Sequence, residues 1–240
     1  VSTGRLLDRA MAEAAQGRID AAIASLRLQL KLKPGDIEVM STLGALLVQS
    51  GQLAQATTVL ERCAAMYPQS PMALNNVANA YLQAGRNEEA ARNYRRALEL
   101  QPNHMQALLG LSFCLTSLER PDEAVAAAER GIAVNPDLTE MHINLGLALA
   151  AADRLDDAIA SLRRVLAKRP WDSEIRSQLL LSLNYLSLPP EELAHEHRQV
   201  ALGVRTEPQP ADTGRDPDRP LRIGVLSGDL REHSVGYFAD

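Results

Sequence analysis

Hydrophobic and polar positions along the chain recur with a constant period of 34 residues. Prolines mark the period most clearly, at Pro34, Pro68, Pro102, Pro136 and Pro170. Alanine marks a second position of the same period, at Ala22, Ala56, Ala90, Ala124 and Ala158. One inserted residue between any two of these sites would break the series. The pattern therefore predicts structural units of constant length that follow one another without interruption.

With the proline at position 32, the units are 3–36, 37–70, 71–104, 105–138 and 139–172. Position 8 is always small: Ala10, Gly44, Ala78, Ser112 and Gly146. Positions 4, 7, 11 and 24 are mostly large and apolar. Small residues at positions 8 and 20 allow two antiparallel helices to approach closely, and the large residues fill the surrounding space. Each unit is predicted to be a helix–turn–helix pair.

Residues that begin and end helices agree with this assignment. Position 15 is glycine in the first three units, where it can end the first helix in a left-handed turn, at Gly17, Gly51 and Gly85. Asn87 is predicted to be the N-cap of the next helix, with acidic residues in its first turn. Pro71 and Pro121 are expected near helix starts. The proline at position 32 is expected to follow the second helix and stop it.

Over residues 3–172 the sequence resembles the tetratricopeptide repeat, which shares this period and these small positions. The resemblance implies an all-α, right-handed superhelix (an α-solenoid) whose concave wall is built by the first helix of each unit. The first unit departs from the pattern, because Arg9 and Glu13 stand where apolar residues are expected. Two explanations stay open: a polar terminal unit that acts as a cap, or an array cut from a longer one.

Composition narrows the class of protein and its partners. The chain is 46% hydrophobic but only 3% aromatic, which favours helices packed through Ala and Leu. It carries a net charge of −5 and no basic tract, so we expect no nucleic-acid partner. No apolar segment is long enough to span a membrane and no signal peptide is visible, so we expect no membrane association and a cytoplasmic location. Cys63 and Cys114 are expected to be buried and too far apart to bridge.

By the resemblance, positions 2, 5, 6, 9, 12 and 13 of each first helix face the concave side. In units two to five they include no Lys or Arg, so the clamp with which some tetratricopeptide co-chaperones bind a C-terminal carboxylate is absent. The candidate peptide-binding residues are Thr42, Asn75, Asn76, Asn79 and Asn144. An asparagine amide can bond both the C=O and the N–H of an extended peptide. Gly110 interrupts the polar series at position 6, and a merely solvated polar wall remains the alternative.

After the fifth unit the pattern changes. Residues 173–204 are predicted to form capping or bridging helices, the first with Leu180 in place of a small residue at position 8 and the second beginning at Pro190. His195 and His197 are two residues apart and project to different sides of a helix, so no metal site is predicted. The Pro- and Asp-rich stretch 205–220 is predicted to be a linker.

The segment 221–240 has the character of an α/β domain. The short apolar run in "LRIGVLSGD" predicts a buried strand that leads into a loop. Together with "LNYLSLPPEELAHEHR" and the linker, "LRIGVLSGDLREHSVGYF" resembles the junction in O-linked N-acetylglucosamine (O-GlcNAc) transferases and SPINDLY-type glycosyltransferases. The resemblance implies an incomplete start of a Rossmann-like catalytic domain, with His233 as a candidate catalytic residue near the acceptor hydroxyl.

The function that this resemblance implies is protein O-glycosylation. The repeats would deliver Ser or Thr residues of protein acceptors to a catalytic domain that uses a nucleotide sugar, UDP-GlcNAc or GDP-fucose. Residues 1–240 are expected to be inactive alone and to hold no cofactor. The alternative is a non-enzymatic tetratricopeptide scaffold for protein–protein interactions. Apolar residues on the outer helices leave a homodimer open.

Overall fold

The computed structural model describes residues 3–186 and 188–201. Within these ranges every regular element is an α-helix, which confirms the predicted all-α fold. The twelve helices are α1 (Thr3–Ala15), α2 (Ile19–Leu32), α3 (Ile37–Gln49), α4 (Leu53–Met66), α5 (Pro71–Gln83), α6 (Asn87–Leu100), α7 (Met105–Ser117), α8 (Pro121–Val134), α9 (Thr139–Ala151), α10 (Leu155–Lys168), α11 (Ser173–Asn184) and α12 (Pro190–Ala201). None of these helices is long and apolar enough to cross a membrane. The predicted linker 205–220, the predicted strand of 221–240 and His233 lie outside the described residues.

The helix bounds repeat the period of the sequence without drift. In each of the five units the first helix has 13 residues and the second has 14. Each second helix ends two residues before the proline of position 32, as Leu32 does before Pro34. The prolines therefore lie in the turns between units, where the absence of their N–H costs little.

A left-handed residue ends the first helix of every unit. Three of these residues are the predicted glycines, and in units four and five the same position is held by Glu119 and Asp153, with φ of 56° and 59°. The N–H of the third residue after the helix bonds back to its last turn, as Arg120 N does to Leu115 O at 2.9 Å. This arrangement is the Schellman motif, and it satisfies carbonyls that would otherwise lack partners.

The helix starts differ between the first and second helices of the units. Several first helices have a side-chain N-cap; Ser70 Oγ, for example, accepts a hydrogen bond from Ala73 N at 3.3 Å. The prediction of Asn87 as an N-cap is wrong, because Asn87 is the first residue of α6 and Arg86 is the N-cap. Arg86 N is already bonded to Tyr81 O in the preceding turn, so the chain enters α6 directly from that turn.

Close helix–helix contact explains the small residues at positions 8 and 20. All five alanines at position 20 are fully buried. A Cβ atom on Gly44 would lie 2.4 Å from Leu60 Cγ, and one on Gly146 would lie 2.8 Å from Leu162 Cδ2. Leu60 and Leu162 both occupy position 24. In each helix pair the leucine fills the space that glycine leaves by having no side chain.

The helices form two layers. Neighbouring first helices contact one another directly (α3 with α5, α5 with α7, α7 with α9, and α9 with α11), while the second helices pack mainly against first helices. The first helices are therefore the inner layer of the solenoid. The second helices are the outer layer and leave grooves between them.

The polar residues of the first unit form a bonded cluster. Glu13 is 5% exposed, and its carboxylate accepts hydrogen bonds from Arg9 Nε at 2.8 Å and Ser25 Oγ at 2.9 Å. The bond from Arg9 is the main cause that lowers the pKa of Glu13, and the bond from Ser25 lowers it further. Both carboxylate oxygens of Glu13 are thus paired, so the departure from an apolar position does not bury an unpaired charge.

The sixth helix pair resembles the others but does not repeat them. As predicted, α11 follows the pattern of a first helix and α12 begins at Pro190. However, α12 starts 17 residues after the start of α11, one residue later than in the five units. Leu193 and Val200 of α12 pack against a cluster that includes the buried Leu179 and Leu183 of α11.

Both cysteines are buried and unpaired, as expected. Burial raises the pKa of the Cys114 thiol to about 12, and it raises that of Cys63 as well. Because the thiolate is the reactive form, these two side chains act as small apolar core residues.

Candidate peptide-binding groove

The inner layer contains a groove of about 550 Å³ between the first helices of units one to three. We call this the inner groove, and Met11, Thr42, Asn76, Asn79 and Gln83 are among the residues that line it. No charged side chain is among the described residues that line it. It therefore offers amide, hydroxyl and apolar groups to a ligand without selecting for ligand charge.

Three of the five predicted residues meet in the inner groove. Thr42, Asn76 and Asn79 line it, and Asn79 is exposed while Thr42 and Asn76 are half-buried. Thr42 Oγ1 donates to Glu38 O at 2.9 Å, so its hydroxyl proton is engaged within α3. Asn76 has no hydrogen-bond partner within residues 3–186 and 188–201, which leaves its whole amide available.

The structure differs from the sequence-based expectation at Asn75. Its side chain is 6% exposed, and its Oδ1 has no hydrogen-bond partner among the described residues. Position 5 lies at the edge of the exposed inner face, since Ser41, Leu109 and Ile143 at this position are also only half-exposed. Asn75 thus does not present its amide to the inner groove.

Asn79 is oriented by a tyrosine from the outer layer. The hydroxyl of Tyr94 donates a hydrogen bond to Asn79 Oδ1 at 2.5 Å. Burial raises the pKa of Tyr94, so this hydroxyl stays protonated and remains a donor. Since the carbonyl oxygen of the amide is engaged, the NH₂ group of Asn79 is the part that a groove ligand can use.

The side chain of Asn144 joins two inner helices, so only part of its amide is available to a ligand. Its Nδ2 donates to Leu109 O at 3.0 Å and to Ser112 Oγ at 2.8 Å. Both bonds join α9 to α7, so the NH₂ group is used within the protein. The oxygen Oδ1 of this half-buried residue is what remains for a ligand.

Position 9 of the first helices changes in polarity along the inner face, which the predicted series of polar residues did not include. Asn79 is at position 9 of its unit, and the residues of the same register in later first helices are Phe113, Leu147 and Leu181. Phe113 is 47% exposed and Leu181 is 49% exposed. At position 9 the inner face therefore changes from the polar Asn79 in unit three to large apolar side chains from unit four onward. Reading position 9 as a series would have revealed this division.

Models of the tetratricopeptide repeat match three stretches of the chain, residues 42–104, 81–145 and 141–164. No curated protein matches it. A solved structure of a tetratricopeptide repeat protein from Parabacteroides merdae has a TM-score of 0.71 at 17% identity, over 87% of this chain and 81% of that one.

Two further solved structures are similar. MamA has a TM-score of 0.62 at 22% identity, over 78% of this chain and 98% of its own. YrrB, described as a repeat protein with an unusual peptide-binding site, has a TM-score of 0.59 at 18% identity, over 74% of this chain and 89% of its own. At these identities the likeness establishes a shared fold.

Proposed function

Residues 42–164 of this chain are tetratricopeptide repeats, and we propose that their solenoid is a protein-binding scaffold that holds an extended segment of a partner along its inner face. The observation that carries this proposal is the uncharged inner groove, in which Asn76 and Asn79 stand side by side. Such a groove suits a polypeptide backbone, whose groups are polar but neutral.

The asparagines provide complementary hydrogen-bonding groups. Asn79 offers its NH₂ to a peptide carbonyl, because its oxygen is bonded to Tyr94. Asn144 offers its oxygen to a peptide N–H, because its NH₂ is bonded to α7. Asn76 offers both groups. Recognition of the backbone alone would accept many sequences, which suits a scaffold of broad specificity.

The apolar part of the inner face supplies side-chain selectivity. Phe113 and Leu181 are large, about half exposed, and in the same register as Asn79. A bound segment would gain free energy by covering them, at about 25 cal/mol for each Å² of apolar surface removed from water. The proposed ligand is thus an extended peptide with apolar side chains toward the C-terminal end of the array. The peptide-binding site of YrrB supports this by analogy of fold only.

A peptide-binding comparison tests the proposal. Peptides selected from a random library on the wild-type chain would be labelled, and their Kd measured by fluorescence anisotropy. Asn76→Ala/Asn79→Ala should weaken binding by about ten- to thirty-fold, since two hydrogen bonds of about 1 kcal/mol each are lost. Asn103→Ala, which changes an exposed asparagine in a turn between units, should leave Kd unchanged. Selection of no peptide, or equal binding by all three proteins, contradicts the proposal.

We also propose that the protein to which this chain belongs is a protein O-glycosyltransferase that uses a nucleotide sugar, UDP-GlcNAc or GDP-fucose. The support is the sequence resemblance of 173–240 alone. In this reaction the oxygen of a Ser or Thr hydroxyl would bond to the anomeric carbon, and the nucleoside diphosphate would leave. A histidine in the position of His233 could accept the hydroxyl proton. The inner groove would hold the acceptor protein.

Sugar transfer separates this proposal from a scaffold without enzymatic activity. The full-length natural protein should transfer labelled sugar from one of the two donors to an acceptor protein, and His233→Ala should abolish transfer. Residues 1–240 alone should bind peptide but transfer no sugar. If the full-length protein binds peptide but transfers sugar from neither donor, the result would support the scaffold function and contradict the transferase proposal.

A further inference from the structure

Among the described residues, grooves of similar build lie at three places in the outer layer, each between second helices of neighbouring pairs. They lie between α2 and α4, between α6 and α8, and between α10 and α12, with volumes of about 610, 390 and 490 Å³. The first two can be compared position by position. Leu30, Leu43 and Leu47 line one, and Leu98, Leu111 and Leu115, at the same positions of their units, line the other.

The charges of the first two grooves differ although their leucines match. The α6/α8 groove is lined by two arginines and two glutamates: Arg95, Arg130, Glu99 and Glu123. In the α2/α4 groove the arginines are kept as Arg27 and Arg62, but Lys31 replaces the first glutamate and Gln55 replaces the second. Among the described residues that line it, the α2/α4 groove thus has three cationic side chains and no carboxylate, in a chain whose net charge is −5.

Arginines at equivalent positions have different partners. Arg95 forms a salt bridge with Glu123 at 2.9 Å, and Arg163 forms one with Glu196 in the α10/α12 groove. Arg27, in contrast, donates to the neutral Gln55. Within the described residues, Arg27, Lys31 and Arg62 form no salt bridge, and all three are exposed. Their positive charge is therefore left for a ligand.

We propose that the α2/α4 groove binds an acidic amphipathic helix of a partner protein. Leu30 and Val59 are half-buried and offer apolar surface between the two helices, while the cations flank it. An amphipathic helix places apolar side chains into such a groove and can direct carboxylates to the cations on either side. The second helices have 14 residues, or about 21 Å, so a partner helix of similar length would run along the whole groove. This surface is on the opposite layer from the inner groove, so the two proposals stand independently.

A designed peptide tests this proposal directly. The probe is a fluorescein-labelled helix of the length of α2, with leucine at every third or fourth position and glutamate and alanine elsewhere. A second peptide carries lysine in place of glutamate. The acidic peptide should bind saturably and lose affinity as salt is added, and the basic peptide should bind at least tenfold more weakly. Absence of saturable binding by the acidic peptide, or equal binding of both, overturns the proposal.

Charge-reversal variants locate the site. Lys31→Glu/Arg62→Glu should weaken binding of the acidic peptide by about tenfold or more, because two attractive contacts become repulsive. Arg92→Glu/Arg96→Glu makes the same change of net charge at exposed positions of α6 and should leave affinity unchanged. An equal loss of affinity in both variants would show that the peptide does not bind in the α2/α4 groove, which overturns the proposal. Circular dichroism would show that both variants keep the helix content of the wild type.

A transplant of the two differing positions gives the converse test. Glu99→Lys/Glu123→Gln should create a second site in the α6/α8 groove, so that peptide stoichiometry rises from one to two. A stoichiometry that stays at one would show that these two positions do not determine where the acidic peptide binds, which overturns the proposal.

Sedimentation of the wild-type chain tests whether a second copy of the chain occupies the groove. Self-association that Lys31→Glu/Arg62→Glu abolishes would assign the groove to a second copy and overturn the proposed partner.

Discussion

The ring of Tyr94 occupies the place where a side chain at residue 110 would lie. A Cβ atom on Gly110 would be 2.2 Å from Tyr94 Cζ and 2.5 Å from its hydroxyl oxygen. The interruption of the polar series at Gly110 therefore has a steric cause: a fully buried tyrosine from α6 extends beneath α7 and reaches Asn79 with its hydroxyl.

Gly110→Ala should destabilise the protein, because the Tyr94 ring cannot move freely in a filled core. We expect the free energy of unfolding to fall by about 1–3 kcal/mol, the usual cost of overpacking. Urea denaturation measures it. Tyr94→Leu introduces the residue found at this position in three other units and should remove the clash. The double variant should therefore lose less stability than the sum of the losses in the two single variants. Additive losses would contradict the steric cause.

Glu119→Gly should stabilise the protein. Glu119 adopts φ of 56°, which costs a residue with a Cβ about 1–2 kcal/mol. Glycine avoids that cost but gains unfolded-state entropy worth about 0.4–1 kcal/mol, so the net gain should be about 1 kcal/mol or less. Thermal or urea denaturation would detect it.

Gly85→Ala is the matched control for this prediction. Apart from its neighbours in the chain, no described atom lies within 4 Å of the place that its Cβ would occupy, so the change introduces only backbone strain at φ of 72°. It should destabilise by an amount similar to the gain from Glu119→Gly. Unchanged stability in both variants would show that the left-handed residues are not strained.

Asn144→Ala should lower stability more than Asn76→Ala. Asn144 donates two hydrogen bonds that join α9 to α7, and the loss of both should cost about 1–3 kcal/mol at roughly 0.5–1.5 kcal/mol for each bond. Asn76 has no such bond among the described residues, so its replacement should change stability by less than about 0.5 kcal/mol. Urea denaturation of both variants decides this. Equal effects would mean that the α7–α9 connection carries no net stability.

Glu13 should make the protein less stable in acid. Its pKa in the folded state is held below the ordinary value of 4.5, mainly by the hydrogen bond from Arg9. The folded state therefore favours the carboxylate. The resulting stabilisation is fully present above pH 4.5 and is lost as the pH falls through the lower folded pKa.

Glu13→Gln should remove this part of the pH dependence, and Ser25→Ala, which removes one of the two hydrogen bonds, should reduce it. Urea midpoints measured at neutral pH and at pH values below 4.5 would show the difference between wild type and variants. An equal loss of stability in acid for wild type and Glu13→Gln would contradict the assignment.

Features that depend on a residue's position within its unit were predictable. The period located all ten helices of the five units, because each unit has the same length and the same positions of small residues. Neighbouring units pack only on one another in a solenoid, so position within the unit determines the layer to which a side chain belongs. The family resemblance assigned Thr42, Asn76 and Asn79 to the inner face by their positions within the unit, and all three line the inner groove.

Features that depend on side chains from other helices were not predictable. Asn75 is buried although its neighbour Asn76 lines the inner groove. Asn79 is oriented by Tyr94 of the outer layer, and Asn144 bonds to residues more than 30 positions earlier. A one-dimensional pattern does not contain the distances between such side chains.

The sequence by itself determined the repeat and the two helices of each unit, because these follow from local periodicity. The layer to which each helix belongs was an implication of the family resemblance, and the contacts between neighbouring first helices established it. Only the tertiary structure decided which polar groups of the inner face stay available and where the outer layer leaves its cations unpaired. The physical reason is that availability depends on the neighbours that a side chain meets after folding. The three cations of the α2/α4 groove come from two helices that are separate in the chain and adjacent only in the folded solenoid.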